Sequence, residues 1–454
     1  MKKYFTIAFL FATSISNAQM QPLKISANKR YFVTGNNQPF FWLGDTGWLL
    51  FKKCTKEEVV KYLDDRKAKG FNVIQVMLLH ELDVTDAYGD SALINKNIAT
   101  PKNLHDEPQP PILEYDYWNN VDFVIHQAAK RGIYMALVPI WGGNIKNVTV
   151  AQAKSYAVFL ANRFKNKTNI IWLNGGDIKG SDALDKWNAI GNTIRSIDKN
   201  HLIGFHPRGR NSSSAWFHNE AWLDFNMFQS GHKRYDQDTS ANEKLHYGED
   251  NWRYVNDDYV LRPVKPTFDG EPSYENIPHG LHDSAEKRWT AADVRRYAYW
   301  DVFAGGCGFT YGNNSVMQFY KKGDKDASFG ANKDWDGELN TPGAGQMQYL
   351  KQLMLSKSYF DRMPDQSLIV DNGERYNRVL ATKGKNYAMF YVYNGRSFKA
   401  ALNKLNFKPG KAMWFSPVDS QVIPIKNYRY ETEKLFDPPG EKENGNDWVL
   451  ILEK

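Results

Sequence analysis

The chain predicts an α/β protein: a (β/α)8 TIM barrel followed by a small all-β sandwich. Two textures carry that expectation. Up to about residue 360, short apolar runs alternate eight times with longer stretches of helical rhythm. The ends of the apolar runs fall near 45, 79, 140, 173, 206, 229, 270 and 311, a mean step of about 38 residues, which suits a barrel with insertions. After Pro364 helical periodicity disappears and short alternating runs separated by turn residues replace it. A length of 454 residues is right for such a barrel plus one small module. The expected divisions are a leader over 1–18, the barrel over 19–363 and the sandwich over 364–454.

Residues 22–39 read as a lead-in hairpin over the barrel floor, with Gly35-Asn36-Asn37 as its turn. The first strand is Phe40 to Asp45. Thr55 and Glu58 form a capping-box signature for the first helix, which keeps Val59, Val60, Leu63 and Ala68 on one face and stops at Gly70. The second strand, Phe71 to Leu79, is apolar enough for burial on both faces. The polar loop over 80–113 is too long for a plain connector and is expected to wall the site. A helix from Tyr115 to Arg131, a strand from Ile133 to Ile140 and a helix from Val150 to Phe164 follow. The fourth strand, Asn169 to Leu173, stops at Gly175-Gly176. A helix over 183–197, strands over 202–207 and 225–230, a helix within 246–261 and a strand over 266–271 continue the pattern. The eighth unit has a helix over 291–303, a strand over 308–312 and, after a polar loop, a helix over 345–355.

Lys2-Lys3, the apolar run Tyr4 to Ala12 and Ser16-Asn17-Ala18 have the order of a cleavable export signal. No cysteine follows the cleavage position, so the expectation is a periplasmic or secreted protein without a lipid anchor. The apolar run is too short to span a bilayer. The net charge of +7 is scattered, without a basic stripe, which gives nucleic-acid binding no support. A mildly basic surface suits an acidic polymer. The high aromatic content, 14%, serves either sugar stacking or the barrel–helix interface. The two cysteines, Cys54 and Cys307, are distant in sequence and read as idle thiols.

Strand C-termini of such a barrel converge on one mouth. Two carboxylates facing across it are the apparatus of a glycoside hydrolase. Asp177 follows strand four and Glu271 ends strand seven. We assign Asp177 as general acid/base and Glu271 as nucleophile of a retaining reaction, which needs the carboxyls roughly 5–5.5 Å apart. Each alone is equally a helix cap or a surface ion pair. Other strand-end residues are candidate substrate ligands: Asp45, Trp48, His80, Trp141, Asn174, His206, Arg208, Gln229, His232 and Tyr311. Asp45 is also a plausible helix cap, and Asn174 a turn-shaping residue. Zinc-protease, phosphate-loop and dinucleotide motifs are missing, and Gly305-Gly306-Cys307-Gly308 lies between a helix and a strand, the wrong order for a dinucleotide. The run Asp324-x-Asp326-x-Ser328 departs from a calcium loop, so no metal and no cofactor is expected.

Gly44-Asp45-Thr46-Gly47-Trp48, Asn174-Gly175-Gly176-Asp177 and Asp269-Gly270-Glu271-Pro272, in that order, resemble the apiosidase-like barrel family, glycoside hydrolase family 140, over about residues 22–360. The tail resembles the β-sandwich usually attached to that barrel, labelled a collagen-binding domain. The resemblance implies an exo-acting β-apiosidase that removes apiose from galacturonic acid in rhamnogalacturonan II, with the family's aspartate and glutamate on Asp177 and Glu271. It shares with the family an Asp where many related barrels carry Glu after Asn. A pectic oligosaccharide is the expected partner, with neither nucleic acid nor membrane insertion. Two other readings remain open: another exo- or endo-acting cell-wall glycosidase, and a glycan- or matrix-binding protein without catalysis.

Overall fold

The computed structural model describes residues 20–103 and 116–454. The leader expected over 1–18 and part of the 80–113 loop lie outside the described residues. Six parallel strands form one curled sheet, in the order Gly308–Tyr311, Trp42–Thr46, Val73–Met77, Tyr134–Val138, Ile170–Ile178 and Ile203–Pro207. Two extended segments close it into the (β/α)8 barrel. Asp224 N–H donates to the Ile203 carbonyl, Asn226 and Phe228 N–H donate to those of Pro266 and Phe268, and Cys307 and Thr310 N–H donate to those of Thr267 and Asp269, all at 2.8–3.2 Å.

Strand alternation sorts the side chains into two layers. Val73, Ala136, Val138, Ile171 and Leu173 point into the barrel. Ile74, Val76, Met135, Leu137 and Trp172 point out against the helices. Burial on both faces is what continuous apolar strands require. At the floor, Phe32 of the lead-in packs on Trp42, Phe225 and Phe268 with ring centroids 5.2–6.0 Å apart.

The helix Lys56–Ala68 starts with a reciprocal capping box between Thr55 and Glu58. The helices Val150–Phe164 and Ala291–Phe303 start the same way, at Thr149/Gln152 and Thr290/Asp293. The fourth strand departs from expectation, since it runs on through both glycines to Ile178. The sixth shrinks to the two residues Phe228–Gln229, because residues 211–212 fold back and pair with it antiparallel. Cys54 and Cys307 are free and buried.

From Met363 on, six antiparallel strands make one sheet, faced by the pair Phe398–Ala401 and Glu433–Phe436. The period-two rule again assigns the faces. Val379, Ala381, Phe390, Val392, Leu450 and Leu452 enter the module's own core. Leu380, Met389, Tyr391, Val449 and Ile451 join the core shared with the barrel. There Tyr391 stacks on Tyr299 at 4.7 Å.

Asp45 is fully buried. Tyr62 Oη bonds its Oδ2 at 2.7 Å and Arg66 Nη1 lies 3.3 Å away. Arg66 is buried as well and also donates to the Leu339 carbonyl at 2.8 Å. Deleting one partner of such a pair leaves an uncompensated charge. Arg66→Ala should therefore lower stability by about 3–5 kcal/mol, read as an earlier urea midpoint by tryptophan fluorescence.

Candidate active site

The site starts with a backbone irregularity. Gly175 pairs with His206 and Ile178 with the adjacent Pro207, so Gly176 and Asp177 are extra residues in a bulge. Bulges re-aim side chains. Gly175 and Gly176 have φ of 93° and 114°, which side-chain-bearing residues avoid. A Cβ on Gly176 would sit 2.7 Å from the Trp141 ring, and one on Gly175 2.5 Å from the His206 carbonyl. Asp177 itself lies at φ 46°, the left-handed region that Asp tolerates better than most. The bulge turns its carboxyl into a cavity of about 320 Å³ at the barrel mouth.

Glu271 enters the same cavity from strand seven and is almost wholly buried. Its peptide is clamped on both sides. Gln75 Nε2 donates to the Gly270 carbonyl at 2.8 Å, and Gly231 N–H donates to the Glu271 carbonyl at 3.2 Å. Gly270 admits no side chain, since a Cβ would meet Met227 Sδ at 2.3 Å. The preceding Asp269 faces away and accepts from Ser230 Oγ at 2.6 Å and Asn251 Nδ2 at 3.1 Å.

Two imidazoles meet the Glu271 carboxylate. His232 Nε2 is 3.2 Å from Oε1, and His206 Nε2 is 3.1 Å from Oε2, off the line of a well-aligned hydrogen bond. The Asp177 N–H approaches His206 Nδ1 at 3.4 Å, which assigns the ring proton to Nε2, the nitrogen facing Glu271. Burial alone would raise the Glu271 pKa, but the two imidazoles outweigh it and hold the carboxyl down at about 2. Asp177 moves the other way. Solvent reaches it, yet protein surrounds the concave mouth. That desolvation, and then the negative charge of Glu271, push its pKa up to about 6. Two carboxyls in one cavity with pKa values driven apart are what a division into acid and anion requires.

Of the candidate residues, Trp48, His80, Trp141, Gln229 and His232 line this cavity with the two acids. Trp48 and Trp141 lie 5.3 Å apart, and Trp48 meets the edge of His206 at 5.2 Å. His80 Nδ1 and Gln229 Oε1 are buried without a hydrogen-bond partner among the described residues, as groups that meet a ligand are. His206 stands behind the lining as a support for Glu271.

Four other candidates do not line the cavity. Asp45 is spent on Tyr62 and Arg66, as described. Asn174 shapes the bulge, donating to the Trp187 carbonyl at 2.9 Å and accepting from Gly175 N–H at 3.2 Å. Tyr311 donates to buried Glu275 at 2.6 Å. Arg208 turns outward, 3.5 Å from Glu243. Asp324 and Asp326 are taken up by Lys53, at 2.9 and 3.2 Å.

Sequence reasoning missed Tyr274, Gln318 and Phe329, which also line the cavity. Tyr274 accepts from Trp48 Nε1 at 3.2 Å. Burial and then the Glu271 charge push its pKa up, so its hydroxyl keeps its proton. Its spacing of three residues from Glu271 was the one signal available. Gln318 and Phe329 come from the loop after strand eight and had none.

A parallel barrel with two carboxyls at its mouth is an arrangement suited to a glycoside hydrolase, and the comparisons give that class. One solved structure, described as a glycoside hydrolase, shares 44% identity, covering 96% of this chain and 97% of its own, with a TM-score of 0.90. Another, a glycoside hydrolase family 5 structure from Bacteroides vulgatus ATCC 8482, shares 43%, covering 96% and 94%, with a TM-score of 0.89. No curated protein gives a significant match. The family model "Apiosidase-like, catalytic domain" matches residues 26–361, and "Putative collagen-binding domain of a collagenase" matches 363–453. The chain belongs to the apiosidase-like family.

Gly176→Ala tests the bulge. The added methyl meets Trp141 and displaces Asp177, and a displacement on the order of 1 Å costs roughly 100-fold in rate. Glycosidase turnover should drop by about that factor, with the circular dichroism spectrum unchanged.

Proposed function

We propose that this chain is a secreted, retaining exo-β-apiosidase that releases apiose from galacturonic acid in the side chains of rhamnogalacturonan II. One observation carries the catalytic part: Asp177 and Glu271 share one small cavity, with their pKa values pushed to about 6 and about 2. Membership of the apiosidase-like family supports the sugar. The cavity, at the small end of the roughly 300–1,000 Å³ typical of ligand sites, suits one terminal sugar rather than a long glycan. The leader-like residues 1–18 motivate export.

In this mechanism the Glu271 carboxylate attacks the anomeric carbon while Asp177 passes its proton to the departing glycosidic oxygen. The carbon–oxygen bond to the leaving group breaks as the ester bond to Glu271 forms. Esterification removes the Glu271 charge, which is one of the two causes that hold the Asp177 pKa up. Asp177 is then a stronger acid and stays ionised, ready to take a proton from the water that cleaves the ester. His206 and His232 keep Glu271 anionic between turnovers, and Trp48 and Trp141 offer faces to the sugar.

A second reading, a barrel glycosidase acting on a different cell-wall glycan, is motivated by the structural relative described as family 5. Product analysis after incubation with purified rhamnogalacturonan II oligosaccharides separates the two. Free apiose is expected, and release of any other sugar in its place would overturn the assignment. Proton NMR should show the first-formed product keeping the anomeric configuration of the substrate. Glu271→Ala should reduce turnover by at least about 10³-fold with folding intact.

The pH profile follows from the acid. Asp177 must be protonated to act, so kcat/KM should fall as pH rises through about 6. The acidic limb belongs to Glu271 and lies near 2. In Asp177→Asn the limb near pH 6 should vanish, and a profile still bending there would remove Asp177 from the acid role.

A further inference from the structure

The C-terminal sandwich contacts the barrel at one segment that matters for the chemistry. Residues 230–252 leave strand six, cross the barrel top and enter the helix Trp252–Tyr259. This segment carries His232, the ring bonded to Glu271 Oε1. It also carries Ser230 and Asn251, which hold Asp269, and Gly231, which holds the Glu271 carbonyl.

Three sandwich residues grip it. The Tyr376 hydroxyl reaches both oxygens of Glu249, at 2.8 and 2.9 Å. Arg375 stacks over Tyr235 at 4.8 Å, and Arg378 over Trp252 at 3.7 Å. Glu249 is buried, and its other partners are the buried Arg296, at 2.6 Å, and the Tyr235 N–H, at 3.4 Å. The Arg296 guanidinium lies among rings from both domains: Tyr297 and Trp300 of the barrel and Tyr376 and Tyr393 of the sandwich, all within 4.8–5.3 Å. A charge pair this deep needs every partner it has. Beside it, Arg295 holds Asp447 of the sandwich, with Nε 3.0 and 3.2 Å from its two oxygens and Nη2 2.7 Å from Oδ1.

We propose that the sandwich is a working part of the catalytic domain: through Arg375, Tyr376 and Arg378 it clamps the 230–252 segment and so keeps His232 against Glu271. Tyr376 is a positioning residue. It touches no substrate and acts through Glu249 and the segment it anchors. The inference rests on the reading of Glu271 as nucleophile, and its test keeps the two apart.

The test uses the full chain with Tyr376→Phe, which removes one hydroxyl and leaves the ring over Arg296. Arg375→Ala is the second variant. Arg375 is exposed, so its loss leaves the fold intact. Four readouts are taken. Hydrogen exchange over 230–252 should quicken in both variants, while strands Trp42–Thr46 and Val73–Met77 stay protected. On the substrate cleaved by the parent protein, kcat should fall about 10-fold with KM little changed. The acidic limb of kcat/KM should move to higher pH. Of the groups facing Glu271, His206 from strand five, Tyr274 from the loop after strand seven and Asp177 from strand four stay in place, and only His232 loosens. In a double-mutant cycle with His232→Ala the losses should not add, as expected of residues acting through one another.

Unchanged exchange over 230–252 in both variants would overturn the clamp, whatever the activity. Quickened exchange with unaltered kcat and pH limb, or losses that add in full to those of His232→Ala, would overturn its link to catalysis. Full activity in Glu271→Ala would instead fault the nucleophile assignment.

Discussion

A carboxylate taken out of water tends to recover its proton, and Glu271 does not. Several kcal/mol of desolvation act against its charge, and two imidazoles from different barrel segments offset them. Most other constraints in the molecule can be traced to that meeting. His206 must be delivered by strand five and His232 by the turn after strand six, so the barrel has to close where its ladder is thinnest. Gln75 reaches across from strand two to fix the Gly270 carbonyl. Below, the aromatic plug of Phe32, Trp42, Phe225 and Phe268 stops the closing segments from collapsing inward.

Much of the fold was legible because local signals and tertiary demands agree. The helices Val150–Phe164 and Ala291–Phe303 begin and end where their caps say they should. Elsewhere the two diverge. Glycines after an apolar run read as a terminator, yet Gly175 and Gly176 carry the strand through a bulge. Strand six was expected over six residues. Its upper half, besides bonding strand seven, pairs with the chain at Asn211–Ser212, a partner fixed by tertiary closure and by no local periodicity. The alternation of the tail predicts a sandwich. It also encodes, in Tyr391 and Ile451 on one face and Phe390 and Leu450 on the other, that one of its sheets is buried on both sides.

The site was legible to the extent that strand ends mark a barrel mouth. Position along the chain does not tell which way a side chain turns. Asp45 and Tyr311 end their strands as expected and bury themselves in hydrogen bonds behind the cavity. Tryptophan divides similarly. Trp48 and Trp141 face the cavity, while Trp42, Trp118, Trp172, Trp187, Trp222 and Trp300 are core filler. Composition does not separate the two groups. The lining from Gln318 and Phe329 depends on how one long loop folds over the mouth.

The bulge at Gly176-Asp177 also bears on which acid the chain can use there. Its extra residues turn the side chain at 177 to the cavity lining. A glutamate at 177 would take less readily than aspartate to the left-handed backbone that this residue adopts. Acid type and strand geometry are thus two halves of one measurement. A longer acid at this position would be best served by a flat strand with an ordinary φ at 177, a change of backbone as well as of side chain.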